Sequence, residues 1–356
     1  MNMISRYLLL FITLLLGITS CKKNEEIGPQ QSNKDSNAAA DSINKYCCGV
    51  FIINEGSFQW GNASISFYNP ATSTVENNIF QNVNNRPLGD VAQSMTIYNG
   101  KGYIVVDNSQ KIEVVDANTF KYIGVIENLV APRYLLVVNP YKAYITDIYA
   151  DHIAVIDLKT FSKTKQIPVT GWTEQMVHVN ERVFVTNMDS SRVYVINANT
   201  DSVITSISVT KSPNSLRLDI NNDIWVLCSG GYNVESPALI QIDPDSYSII
   251  QKITFPDISD SPGKLRINGN LDTLYYLNNH VYRMSINDVG LPAKAFVSGT
   301  DHLFYGIGVD SKSGSVYVAD AIDYVQQGIV YSYHAKDGAT IDSFKVGIIP
   351  GEFAFN

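Results

Sequence analysis

Hydrophobic and polar positions alternate along most of this chain in short runs. An aromatic or aliphatic start, two apolar residues and a polar stop recur seven times, at intervals of about 40 residues. The copies lie at 51–54, 104–107, 144–147, 184–187, 225–228, 275–278 and 317–320. Such alternation predicts β-strands, not helices. A strand-rich repeat of this length predicts a β-propeller.

Each repeat is predicted to form four antiparallel strands, from an inner strand on the central axis to an outer strand. Six full-length blades are predicted at 93–127, 131–169, 172–209, 212–255, 261–299 and 303–347. The seventh is split, with three strands at 50–54, 64–69 and 74–80 and the inner strand at 351–356. The fold class is therefore all-β, a seven-bladed β-propeller with N-/C-terminal ring closure in one shared blade, which hides both sheet edges.

The first residues are predicted to be processed and to lie outside the fold. Arg6 and the apolar run 7–18 lead to Ile18-Thr19-Ser20-Cys21, which predicts a lipoprotein signal peptide at 1–20 and a lipid anchor at Cys21. A plain cleaved signal peptide is the alternative. Residues 21–46 are polar and poor in aromatics, which predicts a disordered tether. Residues 47–356 are predicted to form the propeller.

Charge and cysteine content exclude several classes of protein. The 356-residue chain has a formal net charge of −8 and no basic run, so it offers nothing to neutralise nucleic-acid phosphates. Beyond Cys21 only Cys47, Cys48 and Cys228 remain, without metal-type spacing. No catalytic or phosphate-binding motif is present. We therefore expect no enzyme activity, no cofactor and no metal site.

Loop residues on one face of the ring are the candidate ligand site. In a propeller, the loops between the second and third strands share one rim with the loops that enter the inner strands. Exposed aromatic clusters are costly unless they meet a partner. The predicted ligand-binding residues are Trp60, Arg86, Arg133, Tyr149, Trp172, Tyr232, His302, Tyr305 and Tyr324.

The repeats also align polar residues around the axis. Second strands end at Asn54, Asp107, Asp147, Asn187, Cys228, Asn278 and Asp320. Capping of strand ends and backbone groups is the favoured interpretation of this ring. An alternative is a hydrolase or lyase that uses Glu174, Asn214, Glu352 and a metal near the axis.

Two segments of the chain resemble known groups of proteins. The segment Arg192-Val193-Tyr194-Val195-Ile196-Asn197-Ala198-Asn199-Thr200, with a Pro before several inner strands, resembles the YncE-like seven-bladed propellers. The opening Gly49-Val50-Phe51-Ile52-Ile53-Asn54-Glu55-Gly56, with Trp60-Gly61-Asn62-Ala63-Ser64-Ile65-Ser66, resembles surface lipoproteins of the Bacteroidota, among them the BtuG-type cobalamin-binding proteins.

The resemblance implies a lipid-anchored propeller on the outer membrane, facing the cell exterior. It implies that the protein captures cobalamin or a similar bulky nutrient and passes it to a TonB-dependent outer-membrane transporter. The membrane would be contacted through the lipid anchor only. A module that docks a protein or a glycan is the alternative, since the same rim serves either partner.

Overall fold

The computed structural model describes residues 44–356. Within that range it contains seven antiparallel sheets, which are the seven blades of a propeller. The predicted signal peptide, the anchor at Cys21 and most of the predicted tether lie outside the described residues. The strands of the first four blades in chain order are as follows.

Blade 1 opens with β1 (Val50–Asn54), β2 (Ser64–Asn69) and β3 (Thr74–Glu76). Blade 2 consists of β4 (Ala92–Tyr98), β5 (Lys101–Val106), β6 (Lys111–Asp116) and β7 (Tyr122–Ile126). Blade 3 consists of β8 (Pro132–Asn139), β9 (Lys142–Asp147), β10 (His152–Asp157) and β11 (Ser162–Pro168). Blade 4 consists of β12 (Thr173–Val179), β13 (Arg182–Asn187), β14 (Arg192–Asn197) and β15 (Ser202–Ser208).

The second half of the ring follows the same plan. Blade 5 consists of β16 (Pro213–Leu218), β17 (Ile224–Cys228), β18 (Ala238–Ile242) and β19 (Ile249–Thr254). Blade 6 consists of β20 (Gly263–Ile267), β21 (Thr273–Asn278) and β22 (His280–Ser285). Blade 7 consists of β23 (Phe304–Val309), β24 (Val316–Asp320), β25 (Gln327–Tyr333) and β26 (Thr340–Ile348). The last strand, β27 (Pro350–Phe355), returns to blade 1.

The two ends of the described chain close the ring, as predicted. Strand β27 pairs antiparallel with β1, and Ile52 lies opposite Phe353. The last residue is held as well, since the Asn356 backbone N–H donates to the Gly49 carbonyl at 3.1 Å. Blade 1 is therefore completed by the C-terminal strand, and its inner edge is paired.

The hydrophobic core lies between blades. Tyr103 and Val105 of β5 pack with Ala143 and Ile145 of β9, and all four are buried. A buried cluster of the same kind fills each of the seven interfaces between neighbouring blades. Burying one large apolar side chain contributes about 1.5–3 kcal/mol. The ring is thus held together by inter-blade packing, without a disulfide among the described residues.

One predicted strand is shortened and another is absent. The strand expected at 74–80 ends at Glu76, because Asn78 adopts a left-handed backbone with φ 57°. Ile79–Asn84 then forms the short helix α1, which buries Ile79 and Phe80. In blade 6, predicted as full-length at 261–299, a single bridge between Val281 and Val297 stands where a fourth strand was expected.

Every inner strand carries an irregularity near its start. The pairing register with the second strand shifts between Ala92 and Ser94 in blade 2, and at matching positions in the other six blades. A β-bulge leaves an extra residue unpaired and redirects its side chain. The bulges therefore place seven successive irregular segments around the entrance of the central channel.

Candidate functional site

One end of the ring carries both kinds of predicted loop, and we call it the rim end. Three of the predicted ligand residues stand in loops between second and third strands and extend into solvent. Trp60 is 79% exposed, Tyr149 is 78% exposed and Tyr232 is 80% exposed. Side chains of this size are normally at least partly covered in a folded protein. Together they form an exposed aromatic surface around the rim end.

Arg133 is the centre of a polar cluster at the channel entrance. Its Nε and Nη2 donate to Glu174 Oε1 at 3.0 and 2.8 Å, and its Nη1 lies 3.1 Å from Asp107 Oδ2. The same Nη1 donates to Gln93 Oε1. The Trp172 indole N–H donates to Glu174 Oε1 at 2.7 Å, with the Arg133 guanidinium 5.8 Å from its ring. Three neighbouring blades, blades 2 to 4, thus contribute to one hydrogen-bonded group.

The ionisation of this cluster follows from burial and pairing. Burial alone would lower the pKa of Arg133, but the charge of Glu174 raises it above its usual range. Burial raises the pKa of Asp107, and the opposing charge of Arg133 only partly offsets that effect. Arg133 is consequently a fixed cation, while the Asp107 carboxylate is easier to protonate than a surface aspartate.

A second cluster lies across the entrance and contains Tyr305 and Tyr324. Their rings meet edge to face at 5.5 Å, and the Tyr305 hydroxyl donates to Glu55 Oε2 at 3.1 Å. Lys264 Nζ lies 5.5 Å from the Tyr305 ring and donates to the Gly351 carbonyl at 3.0 Å. Gly351 allows this close approach, because an added Cβ would lie 2.5 Å from Glu55 Oε1 and force that carboxylate to move.

Burial also determines the ionisation of Glu55. It raises the pKa of this carboxyl group, although the charges of Lys264 and then Arg133 oppose the shift. Because both cations act on Glu55, the two clusters share one electrostatic environment. Between them lies a cavity of about 190 Å³, whose lining includes Arg133, Tyr134, Trp172, Glu174, Asn214 and Lys264.

Arg86 does not join either cluster. Its two terminal nitrogens donate to the two Glu113 oxygens at 2.8 and 2.7 Å, and its guanidinium lies 4.8 Å from the Phe80 ring and 4.9 Å from the Tyr122 ring. A bidentate pair of this kind uses the planar fork of the guanidinium fully. Arg86 therefore ties the segment around α1 to the outer part of blade 2.

His302 is also engaged by the protein itself. Its Nδ1 lies 2.8 Å from Asp320 Oδ2, and its ring stacks on Phe304 with centroids 5.1 Å apart. Asp320 Oδ1 additionally accepts the Leu303 and Ile322 backbone N–H groups. These contacts brace the loop into blade 7, and Asp320 acts as the strand-end cap that the repeat pattern suggested.

Several charged channel residues were missed by the sequence alignment. In blade 6 the bulge places Lys264 at the entrance, with φ 57°. Arg217 and Arg266 lie deeper, and the signal that identifies them is a charged residue between apolar neighbours in Leu216-Arg217-Leu218 and Leu265-Arg266-Ile267. Such a pattern is unusual for an inner strand and indicates a charged side chain with a specific role.

Within residues 44–356, no group of three or more His, Cys, Asp or Glu side chains is arranged to hold a metal ion. In the same part of the chain, no helix has the length and apolar character needed to span a bilayer.

A family model described as "Domain of unknown function (DUF5074)" matches residues 48–347. Among curated proteins, none matches the chain. A quinoprotein alcohol dehydrogenase-like protein of Bacteroides thetaiotaomicron superposes with a TM-score of 0.70 at 16% identity, covering 87% of this chain and 78% of that one. The periplasmic gluconolactonase of Pseudomonas aeruginosa gives 0.66 at 13% identity, covering 86% and 99%. Hydrazine synthase of Kuenenia stuttgartiensis gives 0.60 at 13% identity, covering 73% and 88%.

These neighbours confirm the predicted all-β propeller and contradict the prediction that the chain is not an enzyme. Both the gluconolactonase and the hydrazine synthase are enzymes and share this fold. The absence of a short catalytic motif was a weak argument, because a propeller gathers functional groups from separate blades. At these identities the likeness shows the fold alone. The resemblance to YncE-like and BtuG-type proteins beyond a propeller family stays a hypothesis.

Proposed function

Because the chain belongs to the DUF5074 family, whose description names no activity, we propose its function from the geometry of the rim end. The protein captures a bulky ligand over the channel entrance. The observation that carries this proposal is the set of three exposed aromatic side chains, Trp60, Tyr149 and Tyr232, around the polar entrance. Aromatic surface beside a few fixed polar groups is typical of ligand sites.

The ligand class that fits best is a corrinoid such as cobalamin. A large disc with amide groups at its edge would rest its faces on aromatic rings. It would place its edge amides against charged and amide side chains, and Arg133, Glu174 and Asn214 line the cavity below. The similarity of the opening segment to BtuG-type lipoproteins supports the same choice. The proposed ligand is thus cobalamin or a similarly bulky nutrient.

We further propose that the protein works at the outer membrane and faces the cell exterior. The lipobox that ends at Cys21 supports a lipid anchor. The captured nutrient would be passed to a TonB-dependent outer-membrane transporter. Detection of the acylated N-terminal peptide by mass spectrometry, and labelling of intact cells, test the anchor and its orientation separately from ligand binding.

Calorimetric titration of the purified protein with cobalamin tests the ligand. We expect one-to-one binding, and we expect the W60A/Y232A double variant to bind at least about tenfold more weakly, a loss of about 1.4 kcal/mol. Both rings are exposed, so their removal leaves the fold intact. The matched control is Y141A, because Tyr141 is 72% exposed in a loop at the opposite end of the ring.

Unchanged affinity in W60A/Y232A would show that the rim end is the wrong surface. Absence of binding to the wild-type protein at micromolar cobalamin would reject the corrinoid. Retention of a membrane transporter during purification, with no small ligand bound, would then favour a protein-docking role for the same surface.

A further inference from the structure

One position of the inner strands is charged in two neighbouring blades only. It is the residue that pairs with the aromatic residue near the start of each second strand, such as Trp225 in β17. The seven equivalents are Thr96, Leu136, Val177, Arg217, Arg266, Gly308 and Ala354. Five of these are uncharged. The two arginines are therefore not part of the structural repeat, and a specific role must explain a charged side chain at this position.

The two arginines differ in how their charge is compensated. Arg266 Nη2 pairs with Glu352 Oε1, and its Nη1 donates to the Leu265 carbonyl at 2.9 Å. Arg217 makes its side-chain hydrogen bonds through Nη1 alone, to Gln175 Oε1 and to the Leu216 carbonyl, both at 2.6 Å. Both acceptors are neutral. Arg217 thus carries a guanidinium without a carboxylate partner among residues 44–356.

Arg217 remains a cation at neutral pH. Burial and then the neighbouring charge of Arg266 lower its pKa to about 9, which is still well above 7. A partly buried cation without a carboxylate partner is costly. An anion that reaches its free Nε and Nη2 would relieve that cost through charge-assisted hydrogen bonds.

A cavity lies directly in front of Arg217. Its volume is about 140 Å³, and its walls include Gln175, Tyr134, Glu352 and Phe353. It lies deeper in the channel than the entrance cavity, with which it shares Tyr134 and Gln175. A cavity of roughly 150 Å³ holds a molecule the size of benzene, so this one holds about six non-hydrogen atoms.

Glu352 supplies a hydrogen-bond acceptor to the same cavity. Its carboxylate is buried, and while Oε1 pairs with Arg266, Oε2 has no hydrogen-bond partner among the described residues. Lys264 Nζ lies 3.7 Å from Oε2, beyond hydrogen-bond distance. An unpartnered buried oxygen of this kind calls for a donor from a ligand.

We propose that the inner cavity binds a small α-hydroxy or α-amino carboxylate. The ligand carboxylate contacts the Arg217 guanidinium, and the adjacent hydroxyl or ammonium group donates to Glu352 Oε2. The inner cavity is thus a second site, separate from the aromatic surface of the rim end and independent of the bulky ligand proposed there.

Thermal shift and calorimetry on the full-length wild-type protein test the chemistry directly. L-lactate and L-alanine are the probes, acetate lacks the donor and lactamide lacks the charge. At about 10 mM we expect lactate or alanine to raise the melting temperature measurably. Acetate should bind at least several-fold more weakly, and lactamide should have no effect. No shift with either probe, or equal shifts with lactamide, would overturn the proposal.

Variants at Arg217 test the location. R217M should abolish the ligand-induced shift, and R217K, which keeps the charge and loses the fork, should weaken it several-fold. The unliganded R217M protein should melt no lower than wild type, because a partly buried charge without a carboxylate partner is removed. R182M is the matched control, since Arg182 pairs with Asp245 outside the channel. Undiminished binding in R217M or R217K would overturn the proposed site.

Discussion

Glu174 shows how one side chain organises the entrance of the channel. A single oxygen, Oε1, accepts hydrogen bonds from Arg133 Nε, Arg133 Nη2 and the Trp172 indole. Trp172 is consequently oriented by the protein before any ligand arrives. It is a less suitable mutational probe of ligand contact than Trp60, because its removal also disturbs the Arg133 cluster.

The E174Q substitution should destabilise the fold by about 2 kcal/mol. It removes one member of a buried ion pair, for which losses of about 3–5 kcal/mol are typical, and Asp107 remains as a partial counter-charge. Urea denaturation measures the effect. The exposed pair provides the control, since D245N should cost less than about 1 kcal/mol. Equal stability of E174Q and wild type would show that Asp107 alone compensates Arg133.

At the scale of strands, the sequence predicted the regular parts closely. The predicted strands 50–54 and 64–69 coincide with β1 and β2, because alternation and turn residues fix their ends. The prediction was wrong in blade 6, where the 40-residue period led us to expect a fourth strand that does not form. There Pro292 lacks a backbone donor and Gly290 weakens a strand, so local chemistry overrides the period.

Neighbouring blades are also linked by polar contacts, of which Asp201 is the clearest. This residue lies in the turn between β14 and β15 of blade 4 and accepts hydrogen bonds from Lys142 and Tyr144 of β9 in blade 3. Burial alone would raise its pKa, but the bonds from Lys142 and Tyr144 lower it. The ionised form of Asp201 is therefore stabilised by folding.

The ionisation of Asp201 makes the free energy of unfolding depend on pH. Stability from Asp201 is complete above the ordinary aspartate pKa, near 3.9, and is lost as pH falls through the lower folded value. D201N should lower the unfolding free energy by about 1–2 kcal/mol at pH 7, and the difference should shrink as the pH is lowered below about 3. Denaturation of both proteins across this range measures it.

The equivalent turn of blade 3 supplies a control for D201N. Asp157 accepts the Lys159 and Thr160 backbone N–H groups, and Asn197 does the same for Asn199 and Thr200 in blade 4. D157N should therefore be nearly neutral. A constant difference between D201N and wild type at every pH would mean that the ionisation of Asp201 does not contribute.

At the scale of the whole molecule, the sequence was informative about the ring and less so about its channel. Counting repeats revealed the split blade, because the last six residues resemble an inner strand. The loops could be assigned to one end of the ring for the same reason. The depth of a side chain in the channel depends on bulges and on side-chain reach across blades, and neither leaves a short-range signal. Lys264 was missed on that account, whereas the apolar neighbours of Arg217 and Arg266 were a local signal that the repeat pattern did not use.

Ring closure predicts an unusually large effect of a short C-terminal deletion. Removing residues 350–356 deletes β27, exposes the inner edge of β1 and removes Glu352 and Phe353 from the channel wall. We expect loss of cooperative unfolding or a melting temperature lower by more than about 10 °C, since about 1 kcal/mol corresponds to a shift of only a few degrees in a protein of this size. Differential scanning calorimetry measures both.

A circular permutant tests whether the pairing of β27 with β1 matters, or only the order in which the strands follow along the chain. A short linker joins Asn356 to residue 44, near the Gly49 carbonyl that already contacts Asn356, and new termini open between Val289 and Gly290, where Val289 is 89% exposed. The permutant keeps every strand and should melt close to the wild-type temperature, because surface loops tolerate new termini. If deletion and permutation were equally damaging, the chain order would matter and not the pairing of β27 with β1. If neither were damaging, closure would contribute little to the stability of the ring.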